Sequence, residues 1–313
     1  MSCIVYHYCS FDTLKKILES QCFWLTSHKY MNDVRERIYA FYLVNKKLET
    51  LRKKLNQQQR QNLQQFFYLL DISFKKLIPE TFMCCFSRIG DELPQWYQYA
   101  NDGDGVALGI DVEEITKHHR PPFANGSTDE SLSYCELIYE QTLQDNLIDE
   151  WLDKASHFEF SDSNGSEQIN LNYLMQCYVF LFKDPKYSYE KEIRLACSVL
   201  NRNMFNNFPK DNPLLVKKGS PLKGFFKRIV SIEDKKFVVD NNHHQIKFKN
   251  HSVTSEFITC SFSKQCVKSI IIGPRFDKIT ELESFLRLHG FDHVKLIGSE
   301  CNFRLVKTVK AFI

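Results

Sequence analysis

Residues 187–197 read Tyr-Ser-Tyr-Glu-Lys-Glu-Ile-Arg-Leu-Ala-Cys, and this alternation constrains the fold more than any other stretch of the chain. A strand has a period of two, so it places Glu190, Glu192 and Arg194 on one face and turns Ile193, Leu195 and Cys197 into a core. Same-face neighbours along a strand lie roughly 6.5–7 Å apart. Two carboxylates and a guanidinium are therefore gathered on one small polar surface of a sheet whose other face is apolar. Either the three form a self-neutralising charge ladder, or they are part of a site.

The rest of the composition narrows the setting. A chain of 313 residues with 43% hydrophobic residues and 26 Phe buries a sizeable core. Its 41 basic and 38 acidic residues leave a net charge of only +3, too little to argue for nucleic acid on bulk electrostatics. Lys46, Lys47, Arg52, Lys53, Lys54 and Arg60 do crowd one stretch, which reads first as a solvated helix face. The 11 cysteines include no Cys-x-x-Cys pair, and several sit in apolar runs such as Phe82–Phe86. They read as buried free thiols in a reducing compartment. No basic n-region opens the chain, and no apolar run approaches the ~20 residues of a membrane span. The expectation is a cytoplasmic protein with no membrane contact, specialised export being left open.

Periodicity predicts a strand over residues 3–8, with Ser10 capping a helix that carries Leu14, Ile17 and Leu18, and a return strand at Phe23–Thr26. A Lys- and Gln-rich helical region follows from about 34 to 77, broken near 55–60. We read it as a helical insertion, 34–80, standing off the main sheet. Further strands are expected at Thr81–Ser87, Val106–Asp111, Leu132–Tyr139 and Val267–Ile272, and helices at Glu92–Ala100, Thr142–His157, Gln168–Phe182 and Thr280–His289. A loop at Ser161–Ser166, a Pro- and Asn-rich connection at Asn201–Pro213 and a hairpin near Asp240–Asn242 complete the pattern. Strands and helices do not alternate strictly, so the fold class is α+β, as a single domain over 1–313.

Few residues carry obvious chemistry. The pairs His118-His119 and His243-His244 lack the spacing and acidic company of a zinc site, and no metal is expected. The turn Asn101–Gly105 has neither the ligand spacing of a calcium loop nor a dinucleotide fingerprint. No nucleophile elbow or phosphate loop is present. His7 lies in the first strand, Ser87 ends the Cys84-Cys85-Phe86 strand, and Trp96 and Tyr99 share a helical face. For each, packing or capping competes with ligand binding.

Taken in order, Tyr6–Ser10, Phe23–Ser27 with Tyr30–Asp33, Cys85–Ser87 with Gln95, Trp96 and Tyr99, Gly105–Gly109, Glu190–Leu195 and Ile270–Pro274 resemble the bacterial Domain of Unknown Function 2971 family. Its rhythm is "YHYTS, WLS, lNDP.E, cFS, QW..Y, G.Gv.lgf, E.E.R". The resemblance runs from about residue 4 to 275, with Cys9 in place of Thr and Val34 in place of Pro. The name implies no activity.

A more distant resemblance does. A polar residue on the first strand, a strand-end Ser and a Glu-x-Glu strand are similar to the three-part signature of ADP-ribosyltransferases, which build a split mixed sheet around NAD. The resemblance implies that His7 holds a ribose or phosphate of NAD and that Ser87 supports the site. Glu192 then hydrogen-bonds the nicotinamide ribose, and Glu190 orients the attacking group. Tyr30, Trp96 or Tyr99 would stack on a base, and Arg194 would bind the pyrophosphate or keep the glutamates ionised. The implied activity is transfer of ADP-ribose to a protein or nucleic-acid acceptor, or to water, as in a bacterial toxin, effector or phage-defence protein. The competing expectation is a non-enzymatic module that recognises a nucleotide or RNA.

Overall fold

Ser10 ends the first strand and begins the first helix in the same step: its backbone is extended and its Oγ accepts a hydrogen bond from the Thr13 amide at 3.2 Å. The helix buries Phe11, Leu14, Ile17 and Leu18 and stops at Gln21, which adopts the left-handed conformation (φ 49°). The computed structural model describes residues 3–30, 36–76, 80–118, 132–158, 160, 165–199, 244–249 and 252–301. The 161–164 part of the expected loop, the 201–213 connection, the 240–242 hairpin, His119 and His243 lie outside them.

Among the described residues the order is β1 (Ile4–Ser10), α1 (Phe11–Ser20), β2 (Cys22–Ser27), α2 (Glu36–Leu51), α3 (Gln57–Lys76), β3 (Glu80–Ser87) and α4 (Leu93–Tyr99). Next come β4 (Gly105–Asp111), α5 (Val112–His118), β5 (Leu132–Glu136), α6 (Gln141–Ser156), α7 (Gly165–Leu181) and β6 (Glu192–Val199). The described chain closes with β7 (His244–Lys249), β8 (Ser252–Ser261), β9 (Val267–Ile272), α8 (Ile279–Leu288) and β10 (Lys295–Gly298). The strands form one mixed, mostly antiparallel sheet in the order β10-β9-β4-β1-β3-β2-β8-β7, with β6 paired to β3 and β5 to β6. The β9·β10 pair is parallel.

The sheet forks at β3. One edge of β3 pairs with β6 from Glu80 to Ser87, while the other is shared between β2, at Phe82 and Met83, and β1, at Ser87. In the gap between those two pairings, His7 Nδ1 lies 3.2 Å from the Cys85 backbone oxygen, with its ring against Phe23 and Phe86. A buried carbonyl without a ladder partner costs free energy, and an imidazole N–H from the neighbouring strand supplies one.

The face that carries Val5, Cys84, Phe86, Ile193 and Leu195 is covered by α1, α5 and α8 and makes the largest apolar cluster. Each such side chain stabilises the fold by about 1.5–3 kcal/mol on full burial. On the opposite face, α4 seats Trp96 against Tyr8, Ala107 and Ile271. The 34–80 region does not stand off alone: α2 and α3 pack with α6 and α7 around Ala40, Val44, Phe66, Trp151 and Met175. Two buried hydrogen bonds pin this helical group, Trp151 Nε1 to Leu171 O and Asn62 Nδ2 to Ser156 O, both 2.8 Å. None of the described helices is long and apolar enough to cross a membrane.

Candidate functional site

The expected strand begins later than its alternation suggests. Asp184 caps a 3-10 helix over Pro185–Glu190, Lys191 turns left-handed (φ 44°), and only at Glu192 does β6 start. Proline at the head of the helix and the left-handed residue after it break the run, so Glu190 and Glu192 do not share a strand face. They converge nevertheless, on a residue that sequence periodicity did not single out: Lys183, just beyond α7.

Lys183 Nζ meets carboxylates from three directions: Glu190 Oε2, Glu192 Oε2 at 2.6 Å and Glu36 Oε1 at 2.8 Å. Arg194 binds Glu192 Oε1 through Nε at 2.6 Å and Glu36 Oε2 through Nη2 at 2.5 Å, and its Nη1 donates to Phe180 O at 2.9 Å. Glu190, Glu192, Arg194 and Lys183 are only 4–6% exposed. Charges this deep are tolerable because each is paired and hydrogen-bonded.

The backbone around the network is fixed as well. Ser87 Oγ and Gln95 Nε2 donate to the Glu190 carbonyl at 2.8 and 3.3 Å. Gln144 Nε2 donates to the Lys183 carbonyl at 2.8 Å, and the Glu192 amide donates to Tyr139 Oη at 3.1 Å. The Tyr187 ring lies 5.5 Å from Lys183 Nζ, and half-exposed Tyr99 borders Glu190. Cys85 and Cys135 register with Arg194 on either side.

The two glutamates respond differently to one neighbourhood. Burial raises the proton affinity of both, but Arg194 and Lys183 outweigh it at Glu192 and hold that carboxyl at about 2. At Glu190 burial wins over Lys183, and the nearby charges of Glu192 and Glu36 push the same way, so its pKa is raised. For Lys183 burial acts to lower the pKa, but Glu192, Glu36 and Glu190 overcome it and hold the ammonium charged. Burial and then the charge of Glu192 push the Cys85 thiol well up, so it is no nucleophile as it stands.

The sequence candidates separate into two groups. Glu190, Glu192, Arg194, Ser87 and Tyr99 come together. His7 does not: the register Tyr6↔Ser87↔Glu192 puts Tyr6 in the row with Ser87 and Glu192, and turns His7 to the apolar face. Burial lowers the His7 pKa there, against its bond to Cys85. Trp96 is fully buried, with Nε1 on Asp91 Oδ1 at 2.6 Å, so it packs rather than offering a stacking face. Tyr30 hydrogen-bonds Glu256 Oε1 at 3.3 Å on β8. Glu36, Tyr139 and Lys183 were missed. Glu36 closes the "lNDP.E" rhythm, the one sequence signal that marks it. Among the described residues no group of three His, Cys, Asp or Glu side chains is arranged to hold a metal ion.

The basic stretch is partly engaged in contacts on the surface of the helical group. Lys47 pairs with Asp149 at 2.8 Å, and Arg60 donates to the carbonyls of Arg52 and Leu55 at 2.9 and 3.1 Å.

Residues 95–195 match the profile of a family described as protein of unknown function (DUF2971). The matched stretch is shorter than the resemblance read from the sequence. It contains Lys183, Glu190, Glu192 and Arg194 but not Glu36, Ser87 or His7. No curated protein and no solved structure matches the chain.

Proposed function

We propose that the chain cleaves NAD as an ADP-ribosyltransferase-like enzyme, passing ADP-ribose to a macromolecular acceptor or to water. The observation that carries this reading is that Glu190 and Glu192 share one ammonium, Lys183, yet are pushed apart in proton affinity. Two carboxylates set apart in this way suit a division of labour between an acid–base and a permanent charge. In the proposed step the bond between ribose C1′ and the nicotinamide nitrogen breaks, and its electron pair leaves with neutral nicotinamide. The ionised Glu192 stabilises the oxocarbenium-like sugar, and Glu190 takes the proton of the attacking hydroxyl or water as the new C1′ bond forms. Glu192 Oε1 is held by Arg194 and Oε2 by Lys183, the Cys85 thiol also hydrogen-bonds this carboxylate, and of its roughly four lone-pair sites one is left for a sugar hydroxyl. Of the stacking candidates, half-exposed Tyr99 is kept and fully buried Trp96 is not.

The test is nicotinamide release by the full chain. Glu192→Gln and Glu190→Gln are each expected to lower it by roughly 10²-fold or more with unchanged circular dichroism. Undiminished turnover in a folded Glu192→Gln protein removes the mechanism.

A non-enzymatic recognition module is the second reading, favoured by the mutual pairing of the five charges in this buried network. It expects no turnover, a large loss of stability in Glu192→Gln, and salt-dependent RNA binding that fails when Lys46, Lys53 and Lys54 are reversed in charge.

A further inference from the structure

The carboxylate of Glu36 differs from the other members of the buried network in origin, exposure and charge balance. It comes from the first turn of the 16-residue α2, whereas Lys183, Glu190, Glu192 and Arg194 come from one stretch of the chain after α7. Its side chain is 17% exposed, against 4–8% for the other four. Without it, two carboxylates face two cations and the set is neutral. With it, a third carboxylate sits between the two cations, so this position accepts an anion beyond those that neutralise them.

Its seat has the form of an anion site. One oxygen lies 2.8 Å from Lys183 Nζ and the other 2.5 Å from Arg194 Nη2. Both cations are fixed from behind, Arg194 by the Phe180 carbonyl and Glu192, Lys183 by Glu190 and Glu192. A phosphate presents two oxygens to an ammonium and a guanidinium in the same way, with more charge. The first turn of α2 adds the positive end of its helix dipole.

We infer that Glu36 occupies the seat of a ligand phosphate, and that the phosphate group of a nucleotide-type diphosphate displaces it from Lys183 and Arg194. The inference rests on reading the network as a ligand site, and it deepens that reading by adding Lys183 beside Arg194 as a holder of the diphosphate and Glu36 as the group it displaces. No covalent step is involved: one anion exchanges for another on two cations that keep their protons.

The experiment is calorimetric titration of the full chain with inorganic diphosphate. Glu36→Ala, which empties the seat, is expected to bind at least 10-fold more tightly than wild type, and adding Lys183→Met is expected to abolish the gain. A folded Glu36→Ala protein with no gain in affinity overturns the inference. Should that variant fail to fold, the wild type decides: its Tm should rise with millimolar diphosphate and not with sodium chloride of equal ionic strength. No such rise overturns it as well. Diphosphate binding without nicotinamide release would retire the NAD chemistry and leave this seat standing. Nicotinamide release without diphosphate binding would do the reverse.

Discussion

The two faces of β3 and β6 are built from alternate residues of the same strands, yet they solve burial in opposite ways. On one face Cys84, Phe86, Ile193 and Leu195 join a continuous apolar core. On the other, Glu192 and Arg194 are equally removed from water, and they are held there by Lys183, Glu36 and a backbone carbonyl. The apolar face tolerates rearrangement, because dispersion and hydrophobic burial have no direction. The charged face admits only exchanges that keep each charge partnered, because each group depends on a named partner at hydrogen-bond distance. Depth alone therefore does not distinguish a core from a site here; the difference lies in how specific the partners are.

Truncating each face in turn sharpens that contrast. Arg194→Met leaves Glu36 and Glu192 short of a cation inside the fold and is expected to cost about 3–5 kcal/mol. Leu195→Ala, on the apolar face, is expected to cost about 2–5 kcal/mol, following the size of the hole it leaves. Urea denaturation of both variants measures the two losses. If Arg194→Met proved neutral, the network would be a passive filling rather than a set of mutually dependent charges.

Acid separates the faces by a smaller effect. His7, on the apolar side, has a pKa lowered from 6.5, so the unfolded chain binds its proton first. Its contribution is complete above about 6.5 and is lost as the pH falls toward the depressed value. Glu192 behaves alike in a lower window, with full stabilisation above about 4.5 that declines as the pH approaches about 2. Equilibrium unfolding between pH 7 and pH 5 should therefore show a slope that His7→Asn removes, since the amide keeps an N–H at the Nδ1 position for the Cys85 carbonyl but does not titrate. A slope that survives the substitution would place the proton elsewhere.

The smallest expected effect lies at the surface. Lys154 and Glu150 form an ion pair on α6 at 2.5 Å, with side chains 49% and 59% exposed. Lys154→Ala should change stability by less than about 0.5 kcal/mol, because solvent screens the pair and ordering two long side chains offsets the attraction. Thermal unfolding checks it. A loss comparable to that of Arg194→Met would mean that burial contributes little to the worth of ion pairs in this protein.

Much of the architecture was legible along the chain. Capping at Ser10, the apolar runs of Thr81–Ser87 and Val267–Ile272, and helical spacing in α1, α6, α7 and α8 are local effects, and their boundaries came within a few residues of the observed ones. Two of the five members of the charged network were legible too, because Glu192 and Arg194 lie two apart on one strand. Glu190 was placed near them for the wrong local reason, since a 3-10 turn and a left-handed Lys191 bring it there rather than strand alternation. Lys183 and Glu36 gave almost no signal: a lysine after a helix and a glutamate in a helix's first turn are ordinary surface residues until something packs over them.

Alternating polarity by itself decided that β6 would carry acidic and basic groups on one side and aliphatic ones on the other, because side-chain direction in a strand is fixed by the backbone period. Which of Tyr6 and His7 stands beside Ser87, and which cations meet Glu192, was decided only when β1 and α2 took their places. Register and long-range ion pairing depend on how strands and helices meet across 80 residues or more of chain, as Tyr6 meets Ser87 and Glu36 meets Arg194. No pattern read over neighbouring residues contains that information.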